Sequence, residues 1–225
     1  MAAVDVAQGG LDQAGAIRAG GLVLALGAAG VVATSVFYGI SPPAAAMPIV
    51  PADFAAALAG SIRGAATMHL AGLVGVFGDV LVSGAGLLLG QVAASRGRGL
   101  AAMGWFLIAV STVIFAVVDS IVGFVLTPAA HQAAAAFPAF KMLFDALFLL
   151  GTATFGLGAM LAVSGGAGGR ILAGLAFAAG LVAALGGSAG LFGIGINPHL
   201  LGVGIAGGSL LFTLIGLRLV VTGKF

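Results

Sequence analysis

The chain has 225 residues, of which 61% are hydrophobic and only 6% charged, against about a quarter charged in an ordinary soluble domain. With a mean hydropathy of +1.27, a water-facing globule is excluded. A net charge of +2 carried on isolated Arg and Lys residues also excludes the continuous basic face that nucleic-acid binding requires, and the absence of cysteine removes disulfides, thiolate metal sites and cysteine nucleophiles together.

At the start of the chain, Asp5 and Asp12 precede the first basic residue, Arg18. A cleaved signal needs a basic leading region, so the N-terminus is expected to be retained. Six apolar segments follow, near residues 19–40, 64–92, 100–126, 139–163, 170–192 and 199–221. Each is long enough for the roughly 20 residues of a spanning helix. Their apolar runs are continuous, whereas barrel strands alternate every second residue. The expected fold is all-α: an integral membrane bundle of six transmembrane helices forming a single domain, 1–225.

Between the first two spans, the proline-rich run "SPPAAAMPIVPADF" breaks any helix. Asp53 is placed to cap a short amphipathic helix ending at Arg63, which makes residues 41–63 an interfacial segment. The links "SRGRG", "GGAGGR" and "GINPHL" read as tight or flexible turns. Arg18, Arg96, Arg98, Arg170, Arg218 and Lys224 fall on one side of the membrane, Arg63 and Lys141 on the other. Because cytoplasmic flanks carry the excess of Lys and Arg, both termini are expected in the cytoplasm of an inner membrane, with 41–63 outside.

Glycines four apart recur in the spans: Gly86 with Gly90, Gly186 with Gly190, Gly204 with Gly208. Such pairs let helix backbones approach. Ordinary packing within the bundle is the preferred reading; a dimerising or moving interface, and so a homo-oligomer or a larger membrane complex beside the lipid bilayer, is the alternative. No three-plus-three repeat of the transporter kind is visible, and no phosphate-binding glycine loop occurs.

Ionisable groups inside a span cost at least a few kcal/mol at the centre and call for a reason. Five qualify: His69 and Asp79 in the second span, Asp119 in the third, and Lys141 and Asp145 in the fourth. At a rise of about 1.5 Å per residue, Asp119 and Asp145 lie about 10 Å and 9 Å below the outer boundary, His69 about 8 Å and Lys141 about 3 Å. These four are expected to form one outer layer. Lys141 and Asp145 share a helix face at i, i+4, and Lys141 is expected to reach Asp119 as well, either to fasten the hairpin or as part of a site with surplus negative charge. His69 would then be a proton-transfer partner. Asp79 lies near the midplane with no basic residue at its depth. It is expected to carry its proton, and either hydrogen-bonds to a neighbour such as Ser83 or serves as a proton or cation site.

His69, His131 and His199, with Met47 and Met68, raise a copper or haem site, but their spacing matches no ligand motif; no metal and no cofactor is assigned. No GxSxG run or legible Ser, His and Asp arrangement is present, and an enzyme is not expected.

From about residue 100 to 222 the chain resembles a family of uncharacterised bacterial inner-membrane proteins with six or seven helices. The resemblance is carried by the span bearing Asp119, then "FDALFLLGTATFGLGAMLAVSG", then the "GGR" link into a glycine-rich span. It implies a polytopic inner-membrane protein and no chemistry or site residues. The functional expectation is a proton- or cation-coupled transporter or permeation protein using Asp79 at the midplane, with Asp119, Asp145 and His69 at the entry. The alternatives are a non-catalytic membrane anchor or subunit, and a haem- or copper-binding redox protein.

Overall fold

A computed structural model describes residues 13–48, 52–195 and 197–225, without the side chains of Pro198 and His199. The expectation of a retained N-terminus, resting on Asp5 and Asp12, lies outside the described residues. The chain folds into helices α1 (Gln13–Ile40), α2 (Pro43–Ala46), α3 (Phe54–Arg63), α4 (Ala65–Ser95), α5 (Gly99–Ile121), α6 (Thr127–Gln132), α7 (Phe137–Val163), α8 (Gly169–Leu191) and α9 (Pro198–Thr222), with no strand among the described residues. A π-turn, Val122–Leu126, joins α5 to α6. Six of these units are long and apolar enough to cross a membrane, the third running unbroken from Gly99 to Gln132. In lipid every backbone N–H and C=O must be satisfied within the segment, which is why such runs become helices despite their many glycines.

The long helices form a closed ring in chain order: α1 packs on α4, α4 on α5, α5 on α7, α7 on α8, α8 on α9, and α9 back on α1. Glycine makes most of these seams close. A Cβ at Gly27 would lie 2.8 Å from the Gly78 carbonyl oxygen, one at Gly72 2.5 Å from Gly123 Cα, and one at Gly21 2.8 Å from the Gly216 carbonyl oxygen. Gly104 meets the backbone of Ala162, and Gly156 that of Ala184. Helices in lipid gain little from burying apolar surface against each other, so close backbone contact and dispersion hold them. Of the glycine pairs singled out by spacing, Gly86 and Gly90 pack on Trp105 and Phe106, Gly204 faces Ala183, and Gly208 faces Phe155. All of these are packing contacts within the ring.

The outer surface is apolar, with Leu26, Phe77 and Leu185 each at least 60% exposed. A water-soluble protein does not tolerate so continuous an apolar exterior. Most of the basic groups gather at the end of the bundle holding the start of α1 and the C-terminus. There Arg98 donates to the Gly165 carbonyl at 2.6 Å, and Arg96 and Arg98 stand over the Phe225 ring at 5.6 and 5.9 Å. Gly97, at φ 71°, closes α4: its N–H bonds the Ala94 carbonyl and the Arg98 N–H the Ala93 carbonyl, the paired bonds of a left-handed glycine stop. At the opposite end the Asp53 carboxylate accepts from Ala56 N at 2.9 Å and caps α3, which ends at Arg63 as its sequence indicates.

Candidate functional site

The expected outer layer of four ionisable groups does not form. The third spanning unit continues six residues past 126, through the π-turn and α6 to Gln132. Pro128 follows the π-turn; its ring has no N–H and clashes with the carbonyl four residues back, so the helix widens there instead of ending. Asp119 consequently lies about 20 Å from the end of its helical unit, while Asp79 lies about 21 Å from the start of α4 and Asp145 only about 12 Å from the start of α7. The level partner of Asp119 is therefore Asp79, not Asp145.

Asp79 and Asp119 are 1% and 4% exposed, and their carboxyl groups are within hydrogen-bonding reach of each other. Such a bond exists only when one of the two holds the proton, and two carboxylates in a water-poor site share a proton rather than ionise together. The Tyr38 hydroxyl, near the end of α1, donates to Asp119 Oδ1. Asp79 Oδ2 is buried with no donor facing it. Ser83 does not serve Asp79, since its hydroxyl donates to the Ala109 carbonyl at 3.2 Å.

The local sequence that builds this pair is "GLVGVFGD", residues 72–79. Gly72 brings α4 against α5, and Gly78 brings it against α1 at Gly27 and Gly30. Gly75 supplies the room for the Asp119 side chain: a Cβ there would fall on the Asp119 carboxylate. Glycines three apart, ending on an acid, thus clear two helix seams and a niche for a carboxyl on one side of α4.

Lys141 makes one of the two contacts expected of it. It forms an ion pair with Asp145, and its second bond runs not to Asp119 but to the Met47 carbonyl, at 3.0 Å. With Nζ also 4.8 Å from the centroid of the Phe144 ring, the ammonium is 2% exposed and fully engaged. It ties the segment after α2 down onto α7. His69 stands apart from the acids: its ring is exposed, Nδ1 meets the Gly123 carbonyl at 3.1 Å, and Phe124 packs edge-on at 5.2 Å. This contact satisfies a carbonyl of the π-turn. His131 lies at the last turn of α6, and the side chain of His199 lies outside the described residues. No group of three or more His, Asp or Glu able to hold a metal forms among the described residues.

The carboxyl pair opens on a cavity of about 260 Å³ enclosed by the ring. Val31, Tyr38, Met47, Phe115, Phe148 and Ile205 supply most of its wall, together with Asp79 and Asp119. It extends from Asp79 toward Gly39, Pro43 and Gly202, the end of the bundle where α2 and α3 lie. On the other side of Asp79 only a void of about 10 Å³ remains, bounded by Ser209, Phe155 and Phe212, room for about one water. Below it the rings of Trp105 and Phe155 pack edge-on against Phe212, at 5.7 and 5.8 Å. The pair sits at the floor of a one-sided cavity, above an aromatic plug.

Tyr38 is a residue of this candidate site that the sequence reading missed. It is the chain's single tyrosine, set late in the first span, and those two facts were the available signal. An all-helical ring of six membrane-length helices with paired acids buried at its centre defines a polytopic membrane protein. No protein-family model matches the chain, and no curated protein or solved structure matches it either.

Proposed function

We propose that the protein is a proton- or cation-coupled transport or permeation protein of a bacterial inner membrane, non-enzymatic, with Asp79 and Asp119 as the coupling pair. One observation carries this reading: two buried carboxyl groups within hydrogen-bonding reach share a cavity wall with no basic side chain. A packing residue that needs only to be neutral is more cheaply replaced by Asn or Ser, whereas a carboxyl pair can load and release a proton or exchange it for a cation. The cavity supplies access from one side, and the Trp105, Phe155 and Phe212 layer closes the other, the asymmetry that alternating access requires. Lys141, Asp145 and His69 drop out of the coupling site on this reading and hold the segment after α2 and the π-turn.

The test is proton flux into proteoliposomes under an imposed pH gradient. Wild type should carry flux, and Asp79→Asn and Asp119→Asn, folded to the wild-type melting profile, should each lose it. Flux unchanged in Asp79→Asn removes the coupling role. The second reading, a non-catalytic anchor or subunit, is favoured by the Lys141–Asp145 tether and by the open face of α8, where Ile171 is 79% exposed; absence of wild-type flux together with a stoichiometric co-purifying partner supports it.

A further inference from the structure

The coupling reading leaves the substrate unnamed, and the wall of the cavity narrows it. Only three of its side chains are titratable: Tyr38 on α1, Asp79 on α4 and Asp119 on α5; α7 and α9 contribute none. The charge it can present is therefore negative or nil, never positive. The remaining wall is apolar or aromatic except for the hydroxyls of Thr34 and Ser35, which donate to the Gly30 and Val31 carbonyls of their own helix. Phe115 and Phe148 face it with their rings 5.8 Å apart and nearly perpendicular, and Tyr38 adds a third aromatic ring beside Asp119. Phenyl and phenol faces carry negative potential and attract cations, above all cations that are poorly hydrated. Hard cations take six or more oxygen ligands, usually several of them carboxylate, whereas this wall gathers only two carboxyl groups, and no cluster of three or more His, Asp or Glu forms among the described residues. A neutral apolar molecule would bring the buried, unpartnered Asp79 Oδ2 neither a donor nor a positive charge.

We propose that the cavity binds a small organic ammonium ion. Its charged nitrogen lies at Asp79 and Asp119, and its alkyl groups lie against Phe115, Phe148, Val31 and Ile205. The inference rests on the coupling reading of the same pair. A volume of about 260 Å³ equals about nine waters of liquid, which suits an ammonium with short alkyl arms. Seating the cation between the two carboxyl groups places a positive charge where the shared proton was, so that proton leaves to solvent and the net charge of the site is unchanged. Bound cation and bound proton are then alternatives at one site, the minimal requirement for exchange.

The experiment uses the full chain in detergent or nanodiscs, with tetraethylammonium as probe and tetrabutylammonium and ethanesulfonate as size and charge controls. Binding is followed by calorimetry and by the fluorescence of Trp105, the chain's only tryptophan, which packs on Phe212 in the aromatic plug below the carboxyl pair. Expected are saturable binding of tetraethylammonium, at least tenfold weaker binding of the tetrabutyl compound, none of the sulfonate, and release of protons into a weakly buffered solution. Asp79→Asn and, independently, Phe115→Leu should each weaken binding at least tenfold; Phe115→Leu keeps the proposal testable if the Asp79 variant fails to fold. Absence of saturable binding, or binding equal in wild type and both variants, overturns the proposal. Proton flux without ammonium binding rejects the substrate class alone and leaves the coupling pair standing; selective ammonium binding without flux upholds the site and rejects coupled transport.

Discussion

Replacing Gly75 by alanine tests the geometry of the carboxyl pair without touching either acid. Taken alone, alanine should improve the helix by up to about 1 kcal/mol. The niche decides otherwise, because the new Cβ falls on the Asp119 carboxylate. That carboxylate must swing off α4, and the Tyr38 hydroxyl then loses its acceptor. A hydrogen bond to such a group is worth about 1.5–3 kcal/mol, and overpacking a filled site adds about 1–3 kcal/mol. Against the helix gain, Gly75→Ala should destabilise by about 2–5 kcal/mol. Gly84→Ala is the control on the same helix: a Cβ there meets nothing within 4 Å, so it should be neutral or stabilising by up to about 1 kcal/mol. Melting of both variants in detergent gives the order, Gly84→Ala at or above wild type and Gly75→Ala well below. Shortening the obstructed side chain in Gly75→Ala/Asp119→Ser should recover part of the loss, giving a coupling energy of at least about 1 kcal/mol in the double-mutant cycle. Gly75→Ala melting as high as Gly84→Ala, or strict additivity with Asp119→Ser, would refute the niche.

Lys141→Met strands the Asp145 carboxylate and the Met47 carbonyl at once, and breaking a buried pair from one side costs about 3–5 kcal/mol. Asp145→Asn added to it should restore part of that stability, and a Lys141→Met protein that melts like wild type contradicts the tether. The distribution of basic residues predicts that a cysteine introduced at Asp53 is labelled from outside intact cells by a membrane-impermeant thiol reagent, with one at Lys224 protected; the reverse pattern inverts the orientation.

The architecture was legible because lipid imposes a simple rule: backbone groups must be satisfied internally, so uninterrupted apolar runs of about 20 residues have one solution. Six such runs, the Asp53 cap and the Lys141–Asp145 pair at i, i+4 all follow from local spacing. The site did not, because depth in a bundle depends on where each helix ends, and the third unit ends at Gln132. The sequence reading ended this span near residue 126; the fold carries the helix on past Pro128 by way of a π-turn that the His69 ring helps to satisfy. That extension lowers Asp119 from the level of Asp145 to the level of Asp79. Packing of α1 and α5 against the same helix, α4, then brings Tyr38, distant in sequence by 81 residues, onto Asp119. Composition and periodicity decided that the acids are buried in a membrane bundle. Which acid faces which, and that they share a cavity above an aromatic plug, was decided by helix ends and by glycine-set backbone approach, neither of which a single helix encodes.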